Sequence, residues 1–331
     1  MVGVWPRERA VPLRCQRLIA LTVGALALIL AGCGSGSASH SAPASTPSVK
    51  PGTATREPGA GKPAVTIGTK NFTEEFILGQ LYAQALRAKG YSVTLKNNIG
   101  PSEVMDRSLA SATIAGYPEY TGTILSVFGH DIKRPANAAE AYRMAASVER
   151  RHHATLLGMA PAADTDVIIT TPSYATAHGL SSLSDLARLG SSATLAGPPE
   201  FRTRFAGLIG LKRDYGVRNI HFLPMAIGQQ YEALSDGRAQ LAVAFTTDGK
   251  LTQAGFKLLT DPKNIFGFQN VTFVVRSSVL AKEGPAFAQT IDAVSARLST
   301  QALRLMNAAV TLDQQSTASV AQQFLGANGL R

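Results

Sequence analysis

Cysteine is scarce in this 331-residue chain, which has only Cys15 and Cys33. So few thiols exclude a disulfide framework and a zinc site built from several thiolates. If a leader containing Cys15 is removed, Cys33 alone remains and no internal disulfide can form. Long apolar runs are also scarce. The most extended, residues 18–31, is shorter than the roughly 20 residues that a membrane-spanning helix needs.

The N-terminus has the order of regions found in secretory signal peptides. A segment with four arginines precedes the apolar run 18–31. That run ends in Leu30-Ala31-Gly32-Cys33, which resembles the lipobox of bacterial lipoproteins. The resemblance implies a signal peptide over residues 1–32, a lipid on Cys33, and a protein anchored to the outer face of the cytoplasmic membrane. The alternative is a soluble secreted protein with a chance cysteine near its cleavage site.

Composition divides the remaining chain into a tether and a folded part. Residues 33–63 are rich in Gly, Ser, Ala and Pro, which predicts a flexible tether because such a segment buries too little apolar surface to order itself. The rest is long enough for two domains. We predict one lobe from residues 64–165 plus 270–331, and a second lobe from residues 166–269.

The charges and histidines exclude several function classes. Lysine and arginine total 32 against 22 acidic residues, a formal charge of +10. The bases are scattered, so nucleic-acid binding has little support, and the charge favours solubility and weak attraction to an anionic membrane. No histidine lies in a metal or nucleophile motif, and the adjacent His152 and His153 would point apart on a helix. We therefore predict no enzyme, no metal and no cofactor. A pair of catalytic carboxylates stays open as a minor alternative.

Apolar runs alternate with helical patterns along the folded part. Thr73 suits an N-cap, followed by Glu74 and Glu75 in the first helical turn, where the helix dipole favours acids. Strands are predicted near residues 65–68, 91–96, 113–117, 167–170, 194–196, 241–245 and 271–275, and helices over residues 102–110, 182–189, 205–211 and 229–234. This alternation predicts an α/β fold with parallel sheets in two lobes, and a ligand cleft between them.

Four segments of the folded part resemble a known family. They are Ile67 to Glu74 (IGTKNFTE), Tyr117 to Thr123 (YPEYTGT), Tyr231 to Leu234 before Asp236-Gly237, and Phe245 to Gly249 (FTTDG). Together they are similar to the substrate-binding proteins of osmoprotectant (glycine betaine, choline, carnitine, proline) ABC importers. The resemblance implies a type II periplasmic-binding-protein fold with two hinge crossings. It also implies a small-molecule ligand delivered to permease and ATPase subunits, and we expect a monomer.

The family's chemistry suggests which side chains to examine. A quaternary ammonium cannot donate hydrogen bonds, so proteins hold it on aromatic faces. The resemblance implies a tyrosine cage for the cation and small polar residues for a ligand carboxylate. Ser102 and Thr121 occupy positions similar to those polar residues, and Tyr117 and Tyr120 lie beside them.

This chain departs from the family pattern at several positions. By comparison with the family, Asp166 stands in the place of a cage tyrosine, and Phe245 stands where an aromatic residue with a hydroxyl is common. Gln269-Asn270 replaces a double tyrosine, and Glu75 replaces a glutamine. We therefore hypothesise that the protein binds betaine weakly or prefers a polyol, an amine or another ligand. We also expect Glu75 to repel a ligand carboxylate. A sensing or interaction lipoprotein without transport is a further alternative.

The candidate ligand-binding residues share polar, charged or aromatic chemistry near the expected cleft. They are Lys70, Asn71, Glu75, Ser102, Tyr117, Tyr120, Thr121, Asp166, Arg202, Phe245, Thr246, Gln269 and Asn270. Arg202 is included because it begins a predicted helix, and helix starts bind anions. The competing interpretation is that Tyr117, Tyr120 and Phe245 are core aromatics and that Lys70 and Asn71 are structural.

Overall fold

The computed structural model of the chain describes residues 56–129 and 134–331. The predicted signal peptide, the predicted lipidation site Cys33 and most of the predicted tether lie outside the described residues. Within these two ranges, helices with the length and apolar character needed to cross a membrane do not occur.

The described strands form two five-stranded sheets, each the base of one lobe. The first sheet has the order β2-β1-β3-β10-β4, with β1 Val65–Gly68, β2 Val93–Lys96, β3 Gly116–Tyr120, β4 Ala154–Leu156 and β10 Val271–Arg276. The second has the order β7-β6-β8-β5-β9, with β5 Asp166–Thr170, β6 Thr194–Gly197, β7 His221–Pro224, β8 Leu241–Phe245 and β9 Lys257–Leu258. The chain therefore crosses between the lobes twice, after β4 and before β10.

Both sheets are mixed, so the expectation of parallel sheets is only partly right. β1 pairs in parallel with β2 and β3, and β6 does so with β7 and β8. β10 runs antiparallel to β3 and β4, and β5 runs antiparallel to β8 and β9. Parallel neighbours need a crossover connection within one sheet. The chain enters β5 and β10 from the other lobe, so this constraint does not apply to them and they can run antiparallel to their neighbours.

Of the eleven α-helices in the described residues, eight belong to lobe 1 and three to lobe 2. They are α1 Thr73–Arg87, α2 Ser102–Ala110, α3 Thr121–Phe128, α4 Ala138–Arg151, α5 Pro172–His178, α6 Gly210–Tyr215, α7 Gln230–Ser235, α8 Ser277–Glu283, α9 Pro285–Ser295, α10 Thr300–Thr311 and α11 Thr317–Ala327. α1 buries Ile77, Leu78, Leu81 and Tyr82 in the lobe 1 core. Removing this apolar face from water stabilises the lobe by roughly 1.5–3 kcal/mol per side chain.

Two local predictions in lobe 1 are wrong. Phe72, not Thr73, occupies the N-cap position of α1, and its side chain makes no capping bond, so Thr73 is the first helical residue. The strand expected at 113–117 lies at Gly116–Tyr120 instead. Thr113 and Ile114 donate their backbone N–H groups to the carbonyl of Ser108 and so close the end of α2. Tyr120 consequently ends a strand.

Lobe 2 contains shorter helical pieces than the sequence predicts. Residues 182–189 form the 3-10 helix Leu183–Arg188. The helix expected over 205–211 is interrupted at Ala206 and Gly207, and α6 begins only at Gly210. A Cβ on Gly207 would collide with the carbonyl oxygen of Phe201. The backbone therefore bends here, next to the inter-lobe cavity.

Candidate ligand-binding site

A cavity of about 50 Å³ lies between the lobes, and we call it the central cavity. Its walls come from both lobes and from both crossing segments: Lys70, Asn71, Phe72, Pro101, Ser102, Tyr120, Thr123, Asp164, Asp166, Pro198, Glu200, Phe201, Arg204, Ala206, Ile227, Phe245 and Gln269. Because its walls come from both lobes, a movement of one lobe relative to the other would change the size of this cavity.

Three aromatic rings meet at the cavity from different elements. Phe72 precedes α1, Tyr120 ends β3 and Phe245 ends β8. The Phe72 ring is stacked 5.7 Å from Phe245 and 6.4 Å from Tyr120, centroid to centroid, with interplanar angles of 12° and 22°. The Phe72–Phe245 contact joins the two lobes. Phe72 was not among the candidate residues, although it lies inside the motif that contains Lys70 and Asn71.

Lys70 shows that these rings can hold a cation. Its Nζ lies 4.2 Å from the centroid of the Tyr120 ring and 5.6 Å from that of Phe72. An ammonium at such distances is attracted by the ring quadrupole. Tyr120 is therefore a lining residue as well as a buried aromatic, with only 4% of its surface exposed.

Two buried carboxyl groups contact Lys70. Its Nζ donates to Glu119 Oε1 and lies 3.5 Å from Glu75 Oε1, while its backbone N–H donates to Glu75 Oε2 at 3.2 Å. Burial raises the pKa of Glu75 to about 8 although Lys70 opposes the shift. The raised pKa favours the protonated form of Glu75, and the hydrogen bond from Lys70 Nζ goes to Glu119.

Glu75 does not line the central cavity. Its side chain is fully buried against Lys70, so it cannot meet a ligand carboxylate directly. The expectation that Glu75 repels a ligand carboxylate is therefore wrong. Glu75 can affect the ligand only through its contact with Lys70.

Arg204 reaches the cavity from lobe 2 and pairs with lobe 1. Its Nε and Nη2 donate to the two carboxylate oxygens of Glu103, at 3.1 and 2.9 Å. The candidate Arg202 is placed elsewhere, with its guanidinium 5.4 Å from the Phe222 ring centroid. Pro199–Arg202 is one turn of 3-10 helix that ends at Arg202. The expected helix start at this residue is therefore wrong, and Arg204 in the following extended segment faces the cavity.

Acidic and hydroxyl groups complete the walls. Asp166 begins β5 opposite Phe245 of β8, and burial raises its pKa to about 7 although Arg204 lowers it in part. Glu200 lines the same wall and also raises the pKa of Asp166. The buried Ser102 Oγ has no hydrogen-bond partner within residues 56–129 and 134–331. It is free to bind a ligand polar atom.

The structure brings seven of the candidate residues to the central cavity and leaves six outside it. Lining residues are Lys70, Asn71, Ser102, Tyr120, Asp166, Phe245 and Gln269, whereas Glu75, Tyr117, Thr121, Arg202, Thr246 and Asn270 are not in the walls. Tyr117 is fully buried in the lobe 1 core. A strand alternates its side chains between two faces, which explains why neighbours in one motif are separated.

The other outlying candidates hold the crossing segments in place. Thr121 Oγ1 donates to the carbonyl of Phe268 at 2.7 Å, and Asn270 Nδ2 donates to that of Ala160 at 3.1 Å. Thr246 Oγ1 accepts from the backbone N–H of Thr165 at 2.9 Å. These bonds satisfy backbone groups at the hinge. In this structure the polar side chains of Thr121, Thr246 and Asn270 are used to bind the backbone of the crossing segments.

Comparison with known proteins agrees with this architecture. Residues 63–327 match the family described as the substrate binding domain of ABC-type glycine betaine transport system. A glycine-betaine-binding protein of Pseudomonas aeruginosa is 33% identical over 273 residues, which cover 78% of this chain and 86% of the relative. Glycine betaine-binding protein YehZ of Escherichia coli is 29% identical over 277 residues, covering 80% and 90%.

Solved structures show the same fold. The apo structure of YehZ from Escherichia coli has a TM-score of 0.58 at 29% identity and covers 81% of this chain and 99% of that one. Lactococcal OpuAC, solved closed with glycine betaine, has a TM-score of 0.60 at 15% identity, covering 80% and 96%. The fold is therefore that of type II periplasmic binding proteins. With a family match over residues 63–327, this chain belongs to the substrate-binding domain family of ABC-type glycine betaine transport systems.

Proposed function

We propose that this protein is the lipid-anchored, extracytoplasmic binding component of an ABC importer, which captures a quaternary ammonium osmoprotectant in the central cavity and delivers it to the permease. The observation that carries the proposal is the meeting of three aromatic rings, Phe72, Tyr120 and Phe245, with cavity carboxyl groups between two lobes. Aromatic faces attract a cation that cannot donate hydrogen bonds. The lobes supply a closure that shields it from water.

The carboxyl groups strengthen the case for a cationic ligand. Asp166 and Glu200 both line the cavity, and neither forms a salt bridge in the described ranges. An ionised carboxylate near the rings adds Coulomb attraction to the quadrupole attraction. Together they would favour glycine betaine, choline or a related compound over a neutral solute.

A polyol or an amine is the second candidate ligand class. The unpartnered Ser102 Oγ and the amide of Gln269 give the cavity hydrogen-bonding capacity that a quaternary ammonium group does not use. Gln269 Oε1 already accepts from the backbone N–H of Thr123 at 2.9 Å, so its free capacity is limited. The aromatic and acidic groups therefore favour the quaternary ammonium class.

The sequence and the family match support the proposed lipid anchor and the proposed role in an importer. The sequence Leu30-Ala31-Gly32-Cys33 supports lipidation at Cys33, and membrane fractionation of a Cys33→Ser variant tests it. Binding proteins of the matched family serve ABC importers, which supports permease and ATPase subunits as partners. Their work is capture and release, which needs no catalytic step.

A ligand panel measured by calorimetry and thermal shift tests the proposed binding. We expect glycine betaine, choline or carnitine to bind, and a ligand at 100 times its Kd to add about 2.7 kcal/mol to the free energy of unfolding. Binding of a polyol alone would favour the second candidate. No binding by any of these solutes would reject the proposal for this cavity.

The pKa of Asp166 predicts a pH dependence for cation binding. Because burial raises this pKa to about 7, Asp166 gains its negative charge as pH rises from 6 to 8. The affinity for choline, whose charge is constant over this range, should rise several-fold across the window. In an Asp166→Asn variant the affinity should be lower at pH 8 and should rise less across the window than in the wild type. Equal pH profiles for the two proteins in calorimetry would contradict this assignment.

A further inference from the structure

Both basic side chains that line the central cavity are already paired with the protein's own carboxyl groups. Lys70 contacts Glu119 and Glu75, and Arg204 makes two hydrogen bonds to Glu103. A ligand that carries a carboxylate therefore finds no unpaired cation among the described lining residues. It must displace one of these protein carboxylates.

Burial decides which protein carboxylate can leave. The side chains of Glu75 and Glu119 are fully buried, so neither can turn into solvent when Lys70 is taken by a ligand. The Glu103 side chain is 35% exposed and that of Arg204 19% exposed. Glu103, which lies in the first turn of α2, is the carboxylate that can turn into water when it is displaced, at the cost of its two bonds to Arg204. Arg204 is thus the site where exchange occurs.

We propose that Glu103 occupies, at Arg204, the place of a ligand carboxylate, and that the cavity therefore selects cations without a carboxylate over zwitterions. This inference rests on the proposed function and specifies the ligand class of the same site. A choline-type cation leaves the Glu103–Arg204 pair intact. A betaine-type zwitterion must break it, and Arg204 then exchanges one carboxylate partner for another.

The position of the pair between lobes adds to this selectivity. Arg204 belongs to lobe 2 and Glu103 to lobe 1, and both oxygens of Glu103 accept from the guanidinium. Paired bonds of this kind are stronger and more directional than single neutral hydrogen bonds. When a cation without a carboxylate binds, this inter-lobe contact survives and supports closure. When a zwitterion binds, its own carboxylate must replace the contact.

The experiment compares choline and glycine betaine by calorimetry in the wild type, in Glu103→Gln and in Glu200→Gln. Glu200 is a matched control because it lines the cavity and acts on Arg204 through space. The backbone N–H of Arg204 donates to the carbonyl of Glu200 at 3.2 Å, but among the described contacts the Glu200 carboxylate makes no hydrogen bond to the guanidinium, which pairs with Glu103. Each variant removes one negative charge near the same guanidinium. Only Glu103→Gln also weakens the hydrogen-bonded pair that competes with a ligand carboxylate for Arg204.

We expect the wild type to bind choline more tightly than betaine. Glu103→Gln should shift the ratio of the two affinities toward betaine about fivefold. Glu200→Gln should shift that ratio clearly less, because it removes a through-space charge but leaves both hydrogen bonds from Arg204 to Glu103 in place. An unchanged ratio in Glu103→Gln, or an equal shift in both variants, would overturn the role of Glu103 while leaving the proposed function standing. Absence of binding by either solute to all three proteins would instead reject the proposed function, and this inference with it.

Discussion

Replacing Lys70 with methionine is expected to lower the free energy of unfolding by about 3–5 kcal/mol at pH 8. The Nζ of Lys70 is held between Glu75 and Glu119, and the side chains of both acids have no exposed surface. Without the ammonium, the Glu119 carboxylate is left as an uncompensated buried charge. Urea denaturation followed by circular dichroism measures the loss.

The same variant should lose further stability, relative to the wild type, as pH rises above about 8. The folded-state pKa of Glu75 is raised to about 8 from an ordinary value of 4.5. The folded protein therefore retains a proton that the unfolded chain releases as pH rises from about 4.5 to 8, and stability falls through that window. Lys70 opposes the rise in the pKa of Glu75, so without Lys70 the window in which stability falls should extend to higher pH.

A lysine outside this cluster provides the control. Lys212 lies exposed on α6, and Lys212→Met should change the free energy of unfolding by less than about 0.5 kcal/mol. Equal effects of the two substitutions, or a Lys70→Met loss that does not depend on pH, would show that the buried cluster is not held by charge.

Replacing Phe245 with alanine is expected to weaken choline binding about tenfold or more. A ring contributes roughly 0.5–2 kcal/mol to the binding of a cation, and each 1.4 kcal/mol is a factor of ten in Kd. Phe245 also stacks on Phe72 across the lobes at 5.7 Å. Its removal therefore takes away one face for the ligand and one contact that closes the cleft.

Phe245→Tyr is the matched variant, because it keeps the ring and adds the hydroxyl. Its choline affinity should stay within about twofold of the wild type. Calorimetry at pH 8 measures both variants, and a thermal melt without ligand shows whether each is folded. Unchanged choline binding in Phe245→Ala would show that this ring does not contact the ligand.

The secondary structure was most predictable where local patterns are long. The apolar spacing of α1 and the runs of β1 and β8 are confirmed close to their expected positions. The interrupted segment after Arg204 was not predictable, because the bend at Gly207 follows from close approach to Phe201. The antiparallel entry of β5 and β10 depends on which lobe the chain arrives from, and no local pattern records that.

The site residues divide in the same way. The motifs that resemble the family contain Lys70, Tyr120 and Phe245, and these three residues line the central cavity. The candidate residues did not include Arg204 and Phe72, whose roles depend on contacts with residues far away in the chain.

The sequence by itself determined the scarcity of cysteine and the motifs that indicate the family, and it contains the segment Leu30-Ala31-Gly32-Cys33 from which we predict lipidation, since composition and short motifs are properties of the chain alone. Only the tertiary structure decided how the cavity charges are paired. It buries Glu75 behind Lys70, and it brings Glu103 of one lobe against Arg204 of the other. The Glu103–Arg204 pair joins residues 101 positions apart in the chain, and the strength of both pairings depends on distance and burial in the folded protein. They distinguish a cavity that offers a free cation from one whose cations are already bound.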